Sequence, residues 1–243
     1  SDVCSSDLKK SQYCSDLYDS SRKYILEYFN APEDIYTAIF VGNTTDGLNK
    51  LSNILIESKE DIVITTRMEH HSNDLPWRNK CDLKHVEVDK DGRIKVEDIE
   101  ELLDKYQEKV KYVTVTGASN VTGYVNDIRR IKVEDIEELL DKYQEKVKYV
   151  TVTGASNVTG YVNDIRRIAK ATHRYGAKII VDGAQLIPHK KISMIQDDIT
   201  ENIDFLVFSG HKIYAPFGSG VIIGLRKIFN EKDPASSGGG TVQ

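Results

Sequence analysis

The sequence predicts an α/β fold, a three-layer α/β/α sandwich built on a mainly parallel sheet. Short apolar runs typical of buried strands alternate along the chain with longer segments that have helical periodicity. Strands that alternate with helices are joined by crossover connections, which place neighbouring strands parallel and cover both faces of the sheet. The chain of 243 residues is long enough to bury a core of this kind.

The elements follow in order along the chain. We predict helices over residues 16–29, 44–56, 133–143 and 164–175, each with apolar residues on one face. We predict strands over residues 38–41, 61–66, 85–89, 149–153, 178–182, 203–208 and 220–224. Gly176 follows the last of these helices at a position typical of a left-handed helix cap.

Composition excludes several classes of function. The net charge of −5 argues against nucleic-acid binding, which needs a basic surface. No apolar run approaches the roughly 18 residues that a membrane span needs. Cys4, Cys14 and Cys81 are too few and too irregularly spaced for a disulfide framework or a metal site. We therefore expect a cytoplasmic protein with no metal, no membrane partner and no nucleic-acid partner.

The chain contains an identical tandem repeat, in which residues 131–167 copy residues 94–130 without one difference over 37 positions. Repeat architectures need about three or more units, so two copies indicate a duplication or a sequence-assembly error. We expect the second copy to occupy the native position beside the 178–182 strand. The first copy would then be extruded or packed at an edge, with Ile99 and Leu103 exposed. Residues 1–8 resemble translated adapter sequence, which leaves residues 9–243 as the domain.

Polar residues follow five of the predicted strands and are candidates for a site. In open α/β sheets ligands bind beyond the carboxyl ends of the strands. The candidates are Thr44, Thr45, Glu69, His70, His71, Asn157, Asp182, Ser209, His211 and Lys212. Each has a structural alternative when taken singly, such as a helix N-cap for Thr44 or a solvated surface charge for Lys212.

Taken together, five ordered blocks resemble the class V aminotransferase family of fold type I pyridoxal-phosphate enzymes. The blocks are GNTTDGLN (residues 42–49), MEHHSNDLPWR (68–78), SNVTGYVNDI (156–165), VDGAQLIPH (181–189) and FSGHKIYAPFGSGV (208–221). The pattern EHHSN-x-x-PW is similar to the cysteine desulfurase and selenocysteine lyase branch.

The resemblance implies pyridoxal 5′-phosphate as cofactor and gives several residues a role. Lys212 would attach the cofactor covalently and later move a substrate proton, which requires a lysine that can lose its own proton. Asp182 would pair with the pyridine nitrogen and keep it protonated. His70 would stack on the ring, and Gln185 would bond its phenolic oxygen with Asn157 nearby. Lys212, His70 and Asp182 are thus the implied catalytic residues.

The resemblance also implies a phosphate site. Thr44 and Thr45 open a helix, where free backbone N–H groups and the helix dipole favour an anion. Ser209 and His211 would add a hydroxyl and an imidazole. His71 stays a structural or surface residue in this interpretation.

The implied function is that of a cysteine desulfurase, which converts L-cysteine to L-alanine with sulfur transfer. The alternatives are another class V aminotransferase or an inactive cofactor-domain fragment, since these motifs bind the cofactor and barely contact the substrate. The end of the chain, SSGGGTVQ, resembles a segment near the end of the family's large domain. We therefore expect the small domain to be missing, together with its substrate-binding arginine and catalytic cysteine. The family resemblance further implies a homodimer and an amino-acid substrate, while Cys81 is expected to be structural.

Overall fold

A computed structural model describes residues 9–67, 69–87, 96–106, 109–115, 137, 141–142, 147–156 and 162–231. Its helices are α1 (Lys9–Tyr28), α2 (Thr44–Leu55), α3 (His71–Asp74), α4 (Val96–Tyr106), α5 (Ile165–Arg174) and α6 (Arg226–Glu231). Its strands are β1 (Tyr36–Val41), β2 (Ile62–Thr66), β3 (Asp82–Val86), β4 (Val110–Val115), β5 (Tyr149–Thr153), β6 (Lys178–Asp182), β7 (Phe205–Ser209) and β8 (Gly220–Leu225). Short 3₁₀ turns cover Leu75–Trp77, Ile199–Glu201 and Gly210–Ile213. Among these helices, none has the length and apolar character needed to cross a membrane.

The strands form one sheet of eight, in the order β1-β8-β7-β6-β5-β4-β2-β3. All pairs from β7 across to β3 are parallel, and β8 runs antiparallel to both of its neighbours. The prediction of a mainly parallel sheet is confirmed. Because two antiparallel pairings separate β1 from β7, these two strands run in the same direction. Their carboxyl ends therefore lie on the same edge of the sheet.

Helices cover both faces of the sheet, as predicted. Alternate residues of β7 belong to different apolar clusters, with Leu206 on one face and Phe205 on the other. The first face packs against α1 and α5, and its continuation under β2 and β4 packs against α4. The second face packs against α2 and the turn that contains Trp77. Burial of these side chains, at about 25 cal/mol per Å² of apolar surface, supplies the main stabilisation of the fold.

Several element boundaries differ from the sequence prediction. Helix α1 begins at Lys9 rather than residue 16, because its polar first turns contain no glycine or proline to stop it. Strand β3 covers Asp82–Val86 rather than 85–89, since pairing with β2 begins at Ile62 and Asp82. Residues 88–89 and most of the predicted 133–143 helix lie outside the described residues, as do residues 1–8. The cap at Gly176 is confirmed by its φ of +74°.

The strand of the first copy lies inside the sheet, so the expectation that this copy is extruded or packed at an edge is wrong. Its strand β4 is paired between β5 and β2. Ile99 and Leu103 of α4 are only 1% and 2% exposed, because they pack on Ile62, Ile64 and Val110. The strand of the second copy, β5, adjoins β6, as expected.

His173 links α5 to the loop before β7 and makes the stability of the protein depend on pH. Its Nε2 and Nδ1 lie 2.7 Å from Asp204 Oδ2 and from the Thr200 carbonyl oxygen. Burial alone would lower the pKa of His173, but the hydrogen bond and charge of Asp204, with the Thr200 carbonyl, raise it overall. The raised pKa means that the imidazolium is favoured in the folded state.

We expect the free energy of unfolding to fall as the pH rises from about 6 through the neutral range. The imidazolium contributes stability below the unfolded pKa of about 6.5, and that contribution is lost as the pH rises through the folded pKa. Urea titrations at several pH values measure the slope, with His173→Gln as a variant that hydrogen-bonds without titrating. An unchanged slope in His173→Gln would assign the pH dependence to other groups.

Candidate functional site

A cleft of about 260 Å³ opens at the carboxyl edge of the sheet, beyond β1, β2, β5, β6 and β7. It is lined by Asn43, Thr44, Thr45, His70, Ser72, Thr153, Ala155, Asp182, Ala184, Gln185, Ser209, His211 and Lys212. Every described candidate from the sequence lines it except Glu69 and His71. Asn157 lies outside the described residues, although Thr153 and Ala155 from the same strand end reach the cleft.

Asp182 is the last residue of β6 and forms a buried part of the cleft wall, only 4% exposed. Its Oδ1 accepts a hydrogen bond from the Ala184 N–H at 3.0 Å, and its Oδ2 lies 3.5 Å from Ser72 Oγ, at the limit for a hydrogen bond. Burial raises the pKa of Asp182, and the Ala184 N–H, His70 and Lys212 oppose that rise only in part. The carboxylate therefore has unused capacity to accept a hydrogen bond from a cation.

His70 stands at the rim of the cleft as the N-cap of α3. Its Nδ1 accepts a hydrogen bond from the Ser72 N–H at 3.1 Å and lies 2.6 Å from Ser72 Oγ. Partial burial lowers the pKa of His70, with an opposing effect from Asp182. A neutral ring whose Nδ1 accepts must carry its proton on Nε2.

Ser72 is a residue that sequence reasoning did not single out. Its hydroxyl lies between His70 and Asp182, which belong to different strand ends. The available signal was its place inside the EHHSN block, in the first turn of a helix where hydroxyl residues often bond to the N-cap. It contacts both proposed catalytic groups, so it orients one relative to the other.

Lys212 lies in the 3₁₀ turn that follows β7 and is half-buried. Among the described residues, its ammonium makes no ion pair and no hydrogen bond. The turn is held tightly, because Gly210 N–H donates to the Ser219 carbonyl at 2.7 Å and Ala215 N–H donates to the Gly210 carbonyl at 3.0 Å. A Cβ on Gly210 would lie 2.4 Å from Ser219 Oγ, so a larger residue there would displace the Ser219 hydroxyl.

The N-terminus of α2 forms the opposite end of the cleft. Asn43 caps the helix by accepting from the Asp46 N–H at 2.9 Å, and the Thr44 N–H donates to Ser209 Oγ at 2.8 Å. The hydroxyls of Thr44 and Ser209 bond to each other at 2.7 Å. Thr45 is exposed, and its N–H has no hydrogen-bond partner within the described part of the chain. This arrangement suits an anion bound at Thr45.

Two further contacts shape this end of the cleft. A Cβ on Gly220 would lie 2.8 Å from Asn43 Cα, so the start of β8 can approach the α2 N-terminus only as glycine. The His211 ring stacks on Phe217, with centroids 5.4 Å apart and planes at 20°. The stacking holds the imidazole beside Lys212 at the mouth of the cleft.

Cys81 does not line the cleft, and its surroundings suppress its reactivity. Its Sγ donates to the Trp77 carbonyl at 3.2 Å. Burial, with the nearby Asp61 and Asp82, raises the pKa of Cys81 to about 11. A thiol is nucleophilic only as the thiolate, so this residue is poorly suited to accept sulfur.

We expect Cys81 to react with iodoacetamide at pH 8 at least about tenfold more slowly than N-acetylcysteine, whose pKa is not raised by burial. Peptide mapping separates Cys81 from the exposed Cys14 and from Cys4. Alkylation of Cys81 as fast as the small thiol would contradict the raised pKa.

Comparisons with known proteins agree with this geometry. A family model described as Aminotransferase class-V matches residues 1–134 and 130–243, and the two matches meet at the junction of the repeated copies. A cysteine desulfurase of Wigglesworthia glossinidia brevipalpis is 30% identical over 230 residues, covering 91% of this chain and 45% of that relative. A probable cysteine desulfurase of Halalkalibacterium halodurans is 30% identical, covering 93% and 46%.

Solved structures show the same fold. The apo structure of a cysteine desulfurase from Thermococcus onnurineus NA1 superposes with a TM-score of 0.66 and 25% identity, covering 98% of this chain and 50% of that one. A NifS-like protein from Rickettsia africae superposes with a TM-score of 0.64 at 23% identity. The chain thus spans about half the length of the relatives that it matches.

Proposed function

The chain belongs to the class V aminotransferase family, and from this premise we propose that its cleft binds pyridoxal 5′-phosphate and serves an enzyme of cysteine desulfurase type. The reaction would convert L-cysteine to L-alanine with transfer of sulfur. The observation that carries the proposal is the convergence of Lys212, Asp182 and His70 in one cleft that ends at the N-terminus of α2. The names of the relatives support the choice of substrate.

The residues of the cleft fit this cofactor. Asp182 is a buried carboxylate whose described partners leave it short of a cationic donor, and a protonated pyridine nitrogen is such a donor. The Thr45 N–H at the start of α2 suits a phosphate group. Lys212 offers an amine that no described ion pair engages. When bound, the cofactor supplies an electron sink for the charge that develops at the substrate α-carbon.

Lys212 would act as nucleophile and as proton carrier. Its Nζ would hold the cofactor, and as a free amine it would accept the proton from the substrate α-carbon. Burial lowers the pKa of the nearby His70, which favours its neutral form and so disfavours a positive charge that would repel substrate amines. The tight turn from Gly210 to Ser219 holds the backbone of Lys212 beside the cleft.

The remaining residues would bind and orient. Asp182 would hold the proton on the pyridine nitrogen, His70 would cover the ring, and Gln185, with Asn157, would donate to the phenolic oxygen. Ser72 would hold the His70 ring beside Asp182.

For the phosphate group, the exposed Thr45 would donate from both its hydroxyl and its N–H, and His211 would add an imidazole. The hydroxyls of Thr44 and Ser209 bond to each other and shape the anion site. That bond uses one of their two protons, and the other would be donated to the phosphate.

Two alternatives stay open because of the chain's length. The described cleft residues would contact the cofactor rather than the substrate, which equally suits another class V aminotransferase. A chain that spans about half of its relatives also suits an inactive cofactor-domain fragment. A homodimer, an amino-acid substrate and a cytoplasmic location belong to the same proposal, and sedimentation of the purified chain tests the dimer.

The test is to add pyridoxal 5′-phosphate and then L-cysteine to the purified chain. We expect a visible absorbance band from the lysine-attached cofactor, which L-cysteine shifts, followed by release of alanine. Transfer of an amino group to a 2-oxo acid would instead favour the aminotransferase, and a band with neither product would favour the fragment. A folded chain without a band would contradict the cofactor site.

A further inference from the structure

The strands of the two copies, β4 and β5, lie side by side with identical residues opposite each other. Tyr112 pairs with Tyr149 and Thr114 pairs with Thr151, each across the 37-residue period of the repeat. The rings of Tyr112 and Tyr149 stack with centroids 5.1 Å apart and planes at 9°. The two strands therefore present the same side chains, in the same register and direction.

Each of the two strands makes one of the two pairings that join this segment to the rest of the sheet. β5 uses one edge to pair with β6, and β4 uses the opposite edge to pair with β2. Their two remaining edges pair only with each other. A single strand of this sequence could pair with both β6 and β2. Here β5 makes the first of these pairings and β4 makes the second, and the two strands have the same sequence.

The threonine hydroxyls of the two strands differ in their hydrogen bonds, and this difference also indicates that β5 could pair with β2. The Thr114 hydroxyl donates to Thr65 Oγ1 of β2 at 2.7 Å. The hydroxyl of its counterpart Thr151 is buried and has no hydrogen-bond partner in the described part of the chain. A buried hydroxyl without a partner lowers stability. Strand β4 lies between Thr151 and Thr65 of β2.

We infer that β4 occupies a place that β5 can fill, and that a chain with one copy folds into a seven-stranded sheet in which β5 pairs directly with β2 and Thr151 bonds to Thr65. Removal of either copy gives one and the same sequence, because the copies are identical. That sequence has 206 residues, since 243 less 37 is 206.

The experiment compares urea-induced unfolding of the 243-residue and 206-residue chains, keeping the present numbering for both. We expect the single-copy chain to fold cooperatively, with an unfolding midpoint at least as high as that of the full chain. Valine has nearly the same shape as threonine, so the substitution replaces only the hydroxyl, by a methyl group. In the full chain Thr114→Val should lower the midpoint, whereas Thr151→Val should leave it unchanged or raise it.

In the single-copy chain Thr151→Val should raise the unfolding equilibrium constant about three- to tenfold, the net effect of one hydrogen bond. A double-mutant cycle between Thr65→Val and Thr151→Val should show coupling in the single-copy chain and no coupling in the full chain. A single-copy chain that unfolds where the full chain is folded would overturn the inference, and so would a Thr151→Val change without effect in it. None of these measurements uses the cofactor, so their failure is distinct from failure of the proposed function.

Discussion

Replacement of Lys212 by alanine is expected to abolish covalent attachment of pyridoxal 5′-phosphate and to leave the fold intact. The side chain is half-buried and makes no ion pair within the described residues, so its removal costs little stability. Lys212 is the only lysine among the described residues that line the cleft, so its loss removes attachment and proton transfer together, which should lower any turnover by more than about a thousandfold. Absorbance titration with the cofactor and mass spectrometry after borohydride reduction measure the loss.

The matched control for this variant is Lys190→Ala. Lys190 is exposed and lies outside the cleft, so its loss should change neither the absorbance band nor the reduced adduct. Far-ultraviolet circular dichroism of both variants separates loss of attachment from loss of fold. An adduct of unchanged yield in Lys212→Ala would place the cofactor on another lysine and contradict the assignment.

Replacement of Asp182 by asparagine is expected to stabilise the cofactor-free chain while impairing its chemistry. Burial raises the pKa of Asp182, so the stability of the folded state falls as the pH rises from the unfolded pKa of about 3.9 through the folded pKa. The amide keeps the acceptor for the Ala184 N–H and carries no charge, which should raise the free energy of unfolding at pH 7 by about 1–3 kcal/mol. Without the carboxylate the pyridine nitrogen loses its partner, and turnover should fall about 10²- to 10³-fold.

Asp198→Asn is the matched control, because the pKa of this more exposed carboxylate is lowered rather than raised. A hydrogen bond from Lys170, with bonds from the Thr200 hydroxyl and N–H, lowers the pKa of Asp198 to about 2. Its replacement should leave cofactor binding unchanged and slightly lower stability above pH 4. Urea titrations and cofactor titrations of both variants give the two comparisons. If Asp182→Asn destabilised the cofactor-free chain, the carboxylate would have a partner that the described contacts do not include.

The sequence predicts most of the sheet because its strands are locally distinctive. The runs KIIVD and IDFLVF are continuous and rich in β-branched residues, a pattern that favours strands buried on both faces. The rule that ligands bind beyond strand carboxyl ends then selects Asp182 and Lys212 without knowledge of their contacts. These predictions rest on short stretches of chain, which local patterns describe well.

The position of the first repeat could not be predicted in this way. The two copies are identical, so local pattern cannot distinguish the strand beside β6 from the strand beside β2. The position of the first copy depends on the packing of Ile99 and Leu103 on one face of β2, which the local sequence pattern does not describe. The antiparallel direction of β8 could not be predicted either, because an apolar run is compatible with both strand directions.

Contacts between distant residues were also beyond the sequence pattern. The bond between the Thr44 and Ser209 hydroxyls joins positions 165 residues apart. Ser72 reaches Asp182 across 110 residues. Both contacts arise because the carboxyl ends of different strands meet at one edge, which defines the neighbours of each residue only after folding.

The most direct test of the cofactor site is borohydride reduction of the unmodified chain after incubation with pyridoxal 5′-phosphate, followed by peptide mapping. The account predicts one dominant adduct, on the peptide that contains Lys212. Adducts spread over exposed lysines, or none on a folded chain, would contradict the claim that this cleft holds the cofactor.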